Sequence, residues 1–266
     1  MNRRMETRFA IIGGTGLSDL AEEVEPPRII ATAYGDAQVA SSHMGDRSVF
    51  FLARHGPAHS LPPHRINYRA NIAALRQLGV TKILASASVG SLSPTIEPGT
   101  FALLAQFLDF TKGRASTFHD GGEGGVVHTD MTSPYCPQLR EELSAAADRV
   151  GLPVARNAVY VCAEGPRFET AAEIAMYRQL GGDVVGMTGV PEAVLAREAG
   201  LCYAAVAVVA NWAAGIGPER VSHAEVTRAT EAQAGALRAL FGTTIERHED
   251  VPCDCCAADA GQSAEG

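Results

Sequence analysis

Basic residues are the minority charge in this chain: 22 lysines and arginines stand against 30 acids in 266 residues, a net charge of −8. Nucleic acids and anionic membranes both select a basic surface, so neither is the expected partner. An anionic small molecule stays open, because a few local donors decide its binding. Long apolar runs are also missing, and no segment reaches the ~20 residues that span a bilayer. Phe9–Ile12 follows a basic start but runs straight into glycines, too short for a secretory core. The six cysteines are scattered, three of them crowded at Cys253, Cys255 and Cys256. That spacing suggests no disulfide framework, and a reducing cytoplasm is the expectation. The Cys-x-Cys-Cys run lacks a second ligand pair, so no metal site is expected either. There is no internal repeat and no domain boundary.

What the chain does have is an apolar content of 46% and 27 glycines, enough for a large core with many tight turns. Short β-branched runs alternate with helical stretches, which predicts a single-domain layered α/β fold, a central mixed sheet flanked by helices. Phe9–Ile12, Arg47–Ala53, Lys82–Ala87, Thr100–Leu108, Ala158–Ala163 and Tyr203–Ala210 read as strands, with Gly90 opening a loop. Ile66–Leu78, Thr170–Leu180, Glu192–Ala199 and a helix from the Ser222/Glu225 capping box to about Phe241 read as helices. The domain is expected over residues 8–247. The acidic, small-residue-rich stretch 248–266 is expected to be a loose tail.

Four strand ends carry groups suited to an anion. Gly13-Gly-Thr-Gly16 lets the backbone approach a ligand, with Thr15 adding a hydroxyl. A dinucleotide fingerprint would need glycine where Asp19 stands, and the phosphate-loop lysine is absent. Arg54 and His55 close the Arg47–Ala53 strand, Ala87 and Ser88 the next, and Thr188 precedes a helix start. Each has a bland reading as a turn, a surface ion pair or a cap. Together, at the ends of strands in one sheet, they point to a ligand cleft. Phe168 offers an aromatic face, Glu169 an acceptor and Asn211 an amide. This set suits a purine base, a sugar and an anion in a row.

The stretches Ile11–Leu17, Ala53–Gly56, Asn67–Asn71, Val89–Leu92, Glu164–Phe168 and Gly186–Ala193 resemble the methylthioadenosine phosphorylase branch of the trimeric purine nucleoside phosphorylases. The likeness runs through most of residues 9–241 in the family's order. It implies phosphorolysis: phosphate displaces a purine from C1′ of a nucleoside, with no metal and no organic cofactor. It also implies that Thr15, Arg54, His55, Ala87, Ser88 and Thr188 hold phosphate. Met187 would lie under the ribose, and Phe168, Trp212, Ala213 and Asn211 would surround the base. His128 would come from a neighbouring subunit, in a homotrimer or a hexamer made of two trimers.

Three positions depart from the adenine-specific members, which carry aspartates in place of Asn211 and Ala213 and a small hydroxyl residue in place of Glu169. A 6-oxopurine presents O6 as acceptor and N1–H as donor. The Asn211 amide can donate to O6 while accepting from N7–H, and Glu169 can accept from N1–H. The catalytic role expected of Asn211 is to stabilise the departing base. The bland alternative is that Glu169 merely starts the following helix, where acids are favoured. His223, at the start of the last helix, reads equally well as a partner for a 5′-hydroxyl or as an exposed first-turn residue. The expected function is cleavage of inosine and guanosine in purine salvage. Rival readings are a phosphorylase of 5′-methylthioinosine, one of 5′-methylthioadenosine, and, in other classes, a non-catalytic nucleoside-binding protein or a dinucleotide-binding oxidoreductase.

Overall fold

The structure is a computed structural model and describes residues 7–13, 23–122, 125–217, 222–251 and 253. Nine strands form one sheet in the order β2-β3-β4-β1-β5-β8-β7-β6-β9, and β9 also pairs with β5. The strands are β1 (Phe9–Gly13), β2 (Arg28–Thr32), β3 (Gly35–Met44), β4 (Arg47–Ala53), β5 (Lys82–Ser91), β6 (Phe101–Phe110), β7 (Val154–Ala163), β8 (Val184–Gly186) and β9 (Cys202–Trp212). The second pairing of β9 closes β5, β8, β7, β6 and β9 into a ring, so the sheet is part open and part barrel. Among the described residues, five α-helices surround it: α1 (Tyr68–Gln77), α2 (Pro137–Val150), α3 (Ala171–Gln179), α4 (Gly189–Glu198) and α5 (His223–Arg247).

The central strands are apolar on both faces because both faces are covered. Tyr203, Ala205, Ala207 and Val209 of β9 pack into a cluster with Ile72 and Leu75 of α1 and Val190 and Leu195 of α4. Cys202, Ala204, Val206 and Val208 face the other way, against Leu139 and Leu143 of α2 and Leu240 and Phe241 of α5. That period-two alternation puts one helix pair on each side of the sheet. Among the described residues, no helix is long and apolar enough to cross a membrane.

The structure corrects several sequence boundaries. Gly90 does not open a loop: β5 continues to Ser91, with a bulge at Val89/Gly90 opposite β9. Pro191 lies inside the first turn of α4, which begins at Gly189, where its missing N–H costs no helical bond. The last helix runs to Arg247. β2, β3 and α2 were not foreseen, and β8 only as an unbounded strand before Thr188. The start of the segment expected to be loose is docked. His248 is 4% exposed, its ring meets Phe9 edge-on at 5.1 Å, and its Nδ1 lies 2.8 Å from Glu142. Asp250 pairs with Arg47 at 3.0 Å.

Candidate active site

The carboxyl ends of β4, β5, β7 and β9 and the far end of β8 carry the residues that the sequence singled out. Arg54 follows β4, and its backbone N–H donates to Gly13 at the end of β1. Its guanidinium is buried and grips Glu192 of α4 with two donors, Nε to Oε1 and Nη2 to Oε2, the latter at 2.8 Å. Nη1 donates to the Ser86 carbonyl of β5 at 2.7 Å. Tyr203 Oη donates to the same carboxylate at 2.8 Å. Burial works against the charge of Arg54, but Glu192 outweighs it and holds the guanidinium protonated. The sequence reading of Arg54 as a free fork for an anion is therefore narrowed. Its fork is closed by Glu192. Of five N–H donors, three are engaged among the described residues, leaving one on each terminal nitrogen.

His55 comes next in the chain, and its Nδ1 lies 2.8 Å from the Leu61 carbonyl. A carbonyl only accepts, so Nδ1 carries the proton and a neutral His55 presents Nε2 as an acceptor. The ring stacks on His59 at 4.1 Å. Burial, then the charges of Arg54, His59 and His223, push His55 down to about 4. His59 is lowered for the same kinds of reason, burial first and then His223. His55 and His59 thus meet beside Arg54, and His223, although exposed, lies near enough for its charge to bear on both. His59 was not singled out from the sequence; its place four residues beyond His55 was the available signal.

Ser88 on β5 shares a 2.7 Å hydroxyl contact with Thr230 of α5. Ala87 buries its methyl in the core, so only its backbone can serve a ligand. Thr188 is the N-cap of α4 and is 6% exposed. The amides of Thr188 and Gly189 already donate to the Tyr160 hydroxyl, at 3.1 and 3.4 Å. The helix start therefore spends those donors inside the protein, and the contribution left to Thr188 is its hydroxyl, which makes no capping bond. Thr15 lies outside the described residues.

Two close approaches bring the sugar and base segments together. Gly165 has φ +64°, and a Cβ there would meet Met187 Sδ at 2.5 Å. Glycine is what lets the segment after β7 press against Met187. Arg114 ties the same two segments: Nη1 donates to the Met187 carbonyl at 2.6 Å and to Tyr68 Oη at 3.2 Å, and Nη2 donates to the Ala163 and Glu164 carbonyls. Neither Arg114 nor Glu192 was found from the sequence: every partner of Arg114 lies more than 40 residues away, and Glu192 is held by Arg54, 138 residues earlier, and by Tyr203.

Phe168 keeps 38% of its surface exposed, unusual for a large apolar side chain here. Glu169 is only partly covered, yet its Oε1 is buried without a hydrogen-bond partner. Burial is the main cause that raises its carboxyl above the ordinary range. The helix reading of Glu169 does not survive. Thr170 is the N-cap of α3, and the acid that closes its capping box is Glu173. Glu169 stands outside the helix. Asn211 is the last residue but one of β9, opposite Gly90, and its Nδ2 donates to the Trp212 carbonyl at 2.6 Å. That bond fixes which end of the amide is which, leaving Oδ1 and a second N–H to face a ligand. Trp212 packs on the turn at Gly217. Ala213 is buried with Leu92, Ile174 and Tyr177, so its methyl serves packing more than a pocket wall. His128 is exposed and is not brought to the others within one chain.

The sequence profile of the Phosphorylase superfamily matches residues 8–246. The chain belongs to this superfamily. It is 50% identical over 265 residues to the 6-oxopurine nucleoside phosphorylase of Pyrococcus furiosus, covering 97% of this chain and 99% of that one. It is 52% identical over 261 residues to a probable S-methyl-5′-thioinosine phosphorylase of Methanopyrus kandleri, covering 96% and 98%. A methylthioadenosine phosphorylase from an Antarctic soil metagenomic library superposes with a TM-score of 0.88 at 35% identity, covering 95% of this chain and 91% of that one. The Schistosoma mansoni methylthioadenosine phosphorylase in complex with adenine gives 0.86 at 32% identity, with 91% of each chain covered. The superfamily therefore accounts for the whole α/β domain, and the site lies where its strands end.

Proposed function

We propose that the chain is a purine-nucleoside phosphorylase, a pentosyltransferase that cleaves 6-oxopurine nucleosides with inorganic phosphate to give the free base and a pentose 1-phosphate. The observation that carries the base preference is Glu169: a carboxylate outside the helix cap, with one oxygen buried and unpartnered. Such an acceptor calls for a donor, which N1–H of a 6-oxopurine supplies and the N1 lone pair of adenine does not. The names of the Pyrococcus and Methanopyrus relatives, both of which carry a 6-oxopurine substrate, support the same preference.

Phosphate is the co-substrate, and the reaction uses no organic cofactor and no metal. Thr15, the two remaining donors of Arg54, the Thr188 and Ser88 hydroxyls and the backbone at Ala87 hold phosphate under C1′. Neutral His55 takes a hydrogen bond from the protonated phosphate oxygen at Nε2. The bound anion stabilises the ribosyl cation that develops as the C–N bond stretches, a preorganised electrostatic effect. Met187 lies beneath the sugar. Asn211 Oδ1 accepts the N7 proton gained on departure while its free N–H donates to O6. Phe168 covers the base and keeps out water.

A homotrimer, alone or paired into a hexamer, lets exposed His128 of one subunit complete the site of its neighbour. The work belongs to purine salvage in the cytoplasm. A second reading shares the base chemistry but takes 5′-methylthioinosine, as the name of the Methanopyrus relative suggests. The nearness of His223 to His55 and His59 favours a 5′-hydroxyl over an apolar 5′ group. Purified protein with phosphate and a panel of inosine, guanosine, adenosine and both methylthio nucleosides tests this. Hypoxanthine release from inosine well above adenine release from adenosine is expected. Equal cleavage of adenosine would refute the reading.

A further inference from the structure

A second group of reactive side chains sits at the opposite end of the sheet. Lys82 and Cys202 are the first residues of β5 and β9 and face each other in the parallel register. Ser88 lies six residues further along β5, about 20 Å away at ~3.3 Å per residue. Cys136 joins Cys202 because its N–H donates to the Tyr203 carbonyl at 2.8 Å. Its sulfur caps α2, taking the Leu139 N–H at 3.5 Å. Cys253 arrives from the far end of the chain, placed by the His248–Glu142 and Asp250–Arg47 pairs. The three sulfurs all lie within 4.8 Å of one another, with Cys136 and Cys253 at 3.4 Å.

We infer that Cys136, Cys202 and Cys253 form a thiolate site for a soft metal ion of the Zn²⁺ type, which fastens the C-terminal segment to the domain. The spacing fits: zinc–sulfur bonds of about 2.3 Å at tetrahedral angles separate sulfurs by about 3.8 Å. The charge balance fits as well. Three thiolates and a divalent ion leave one negative charge, and Lys82 supplies the compensating positive one, its Nζ 3.7 Å from Cys202 Sγ and 3.4 Å from Gln138 Oε1. Lys82 is 5% exposed. On binding, each thiol gives its proton to solvent and the sulfur lone pair to the ion. Sequence spacing concealed this site because its three members lie in three separate stretches, and only folding supplies partners for Cys253.

The test is zinc competition against a chromophoric chelator, on protein reduced and stripped of metal. One Zn²⁺ per chain is expected, with the melting temperature rising on addition. Removing one of three thiolates in Cys253→Ser should weaken binding by about 100-fold or more, with inosine turnover unchanged. Cd²⁺ added to the wild type should give a sulfur-to-metal charge-transfer band of three-thiolate intensity, which is lower in Cys202→Ser. Equal zinc affinity in wild type and Cys253→Ser would overturn the inference. So would a Cys136–Cys253 disulfide that withstands glutathione at cellular concentration, since the thiolates would then be withheld.

Discussion

Glu169→Gln separates function from stability in a way that few other substitutions in this chain can. In the free protein, Oε1 is buried and makes no hydrogen bond, an arrangement that typically costs about 1–3 kcal/mol. Burial also raises the carboxyl. An acid raised in the folded state is most favourable below its unfolded value and loses stability as pH rises through its folded one. Glutamine has nearly the same shape and no charge to desolvate. The variant should therefore melt at the same temperature as wild type or higher at neutral pH, and the gap should close in acid. With inosine the balance reverses. A hydrogen bond from N1–H to a carboxylate is worth about 1.5–3 kcal/mol, so kcat/KM should fall about 10- to 150-fold. Adenosine, whose N1 lone pair would meet a glutamine donor, should lose less or gain. The assay is hypoxanthine and adenine release beside a thermal melt of the same preparation. A variant that melts lower yet cleaves inosine within twofold of wild type would show that Glu169 supports the fold and does not touch the base.

Two further perturbations probe the anion end. Glu192→Gln leaves the buried Arg54 charge without its counter-ion, and breaking a buried pair in this way costs about 3–5 kcal/mol. Denaturant titration should show a lower midpoint at unchanged slope, and a loss below about 1 kcal/mol would contradict the buried-pair account. His55, pushed down to about 4, stays neutral above pH ~5, so the kcat/KM profile for phosphate should show no His55 step near 6.5. Its contribution to stability is present above its unfolded value of 6.5 and is withdrawn as pH falls toward 4, a slope that His55→Gln should flatten. An acid limb centred near 6.5 and abolished in that variant would show that the imidazole works protonated.

The division between what sequence could and could not settle follows from interaction range. Arg47–Ala53 was legible to the residue, and Tyr203–Ala210 nearly so, because each holds a continuous apolar run, Val49–Leu52 in the first and Tyr203–Ala210 in the second, buried on both faces. Val184–Gly186 was not, since three residues carry no period. Glu169 and Asn211 could be picked out by type and place. Their chemistry needed more: the cap at Thr170, the orphaned oxygen and the Trp212 carbonyl that orients the amide are facts of packing. Arg54 shows the same limit, as an arginine at a strand end looks free until Glu192, 138 residues on, is seen to hold it.

By itself the sequence determined where most of the core strands lie and that a purine, a sugar and an anion suit the residues near their ends, because periodicity and residue chemistry are local properties. Tertiary structure alone decided the closure of β5 through β9 into a ring. It alone decided the spending of the α4 amides on Tyr160 and the meeting of three cysteines at the far edge. Each of these depends on where distant backbone groups find partners, and hydrogen-bond satisfaction in a core is settled by the whole fold.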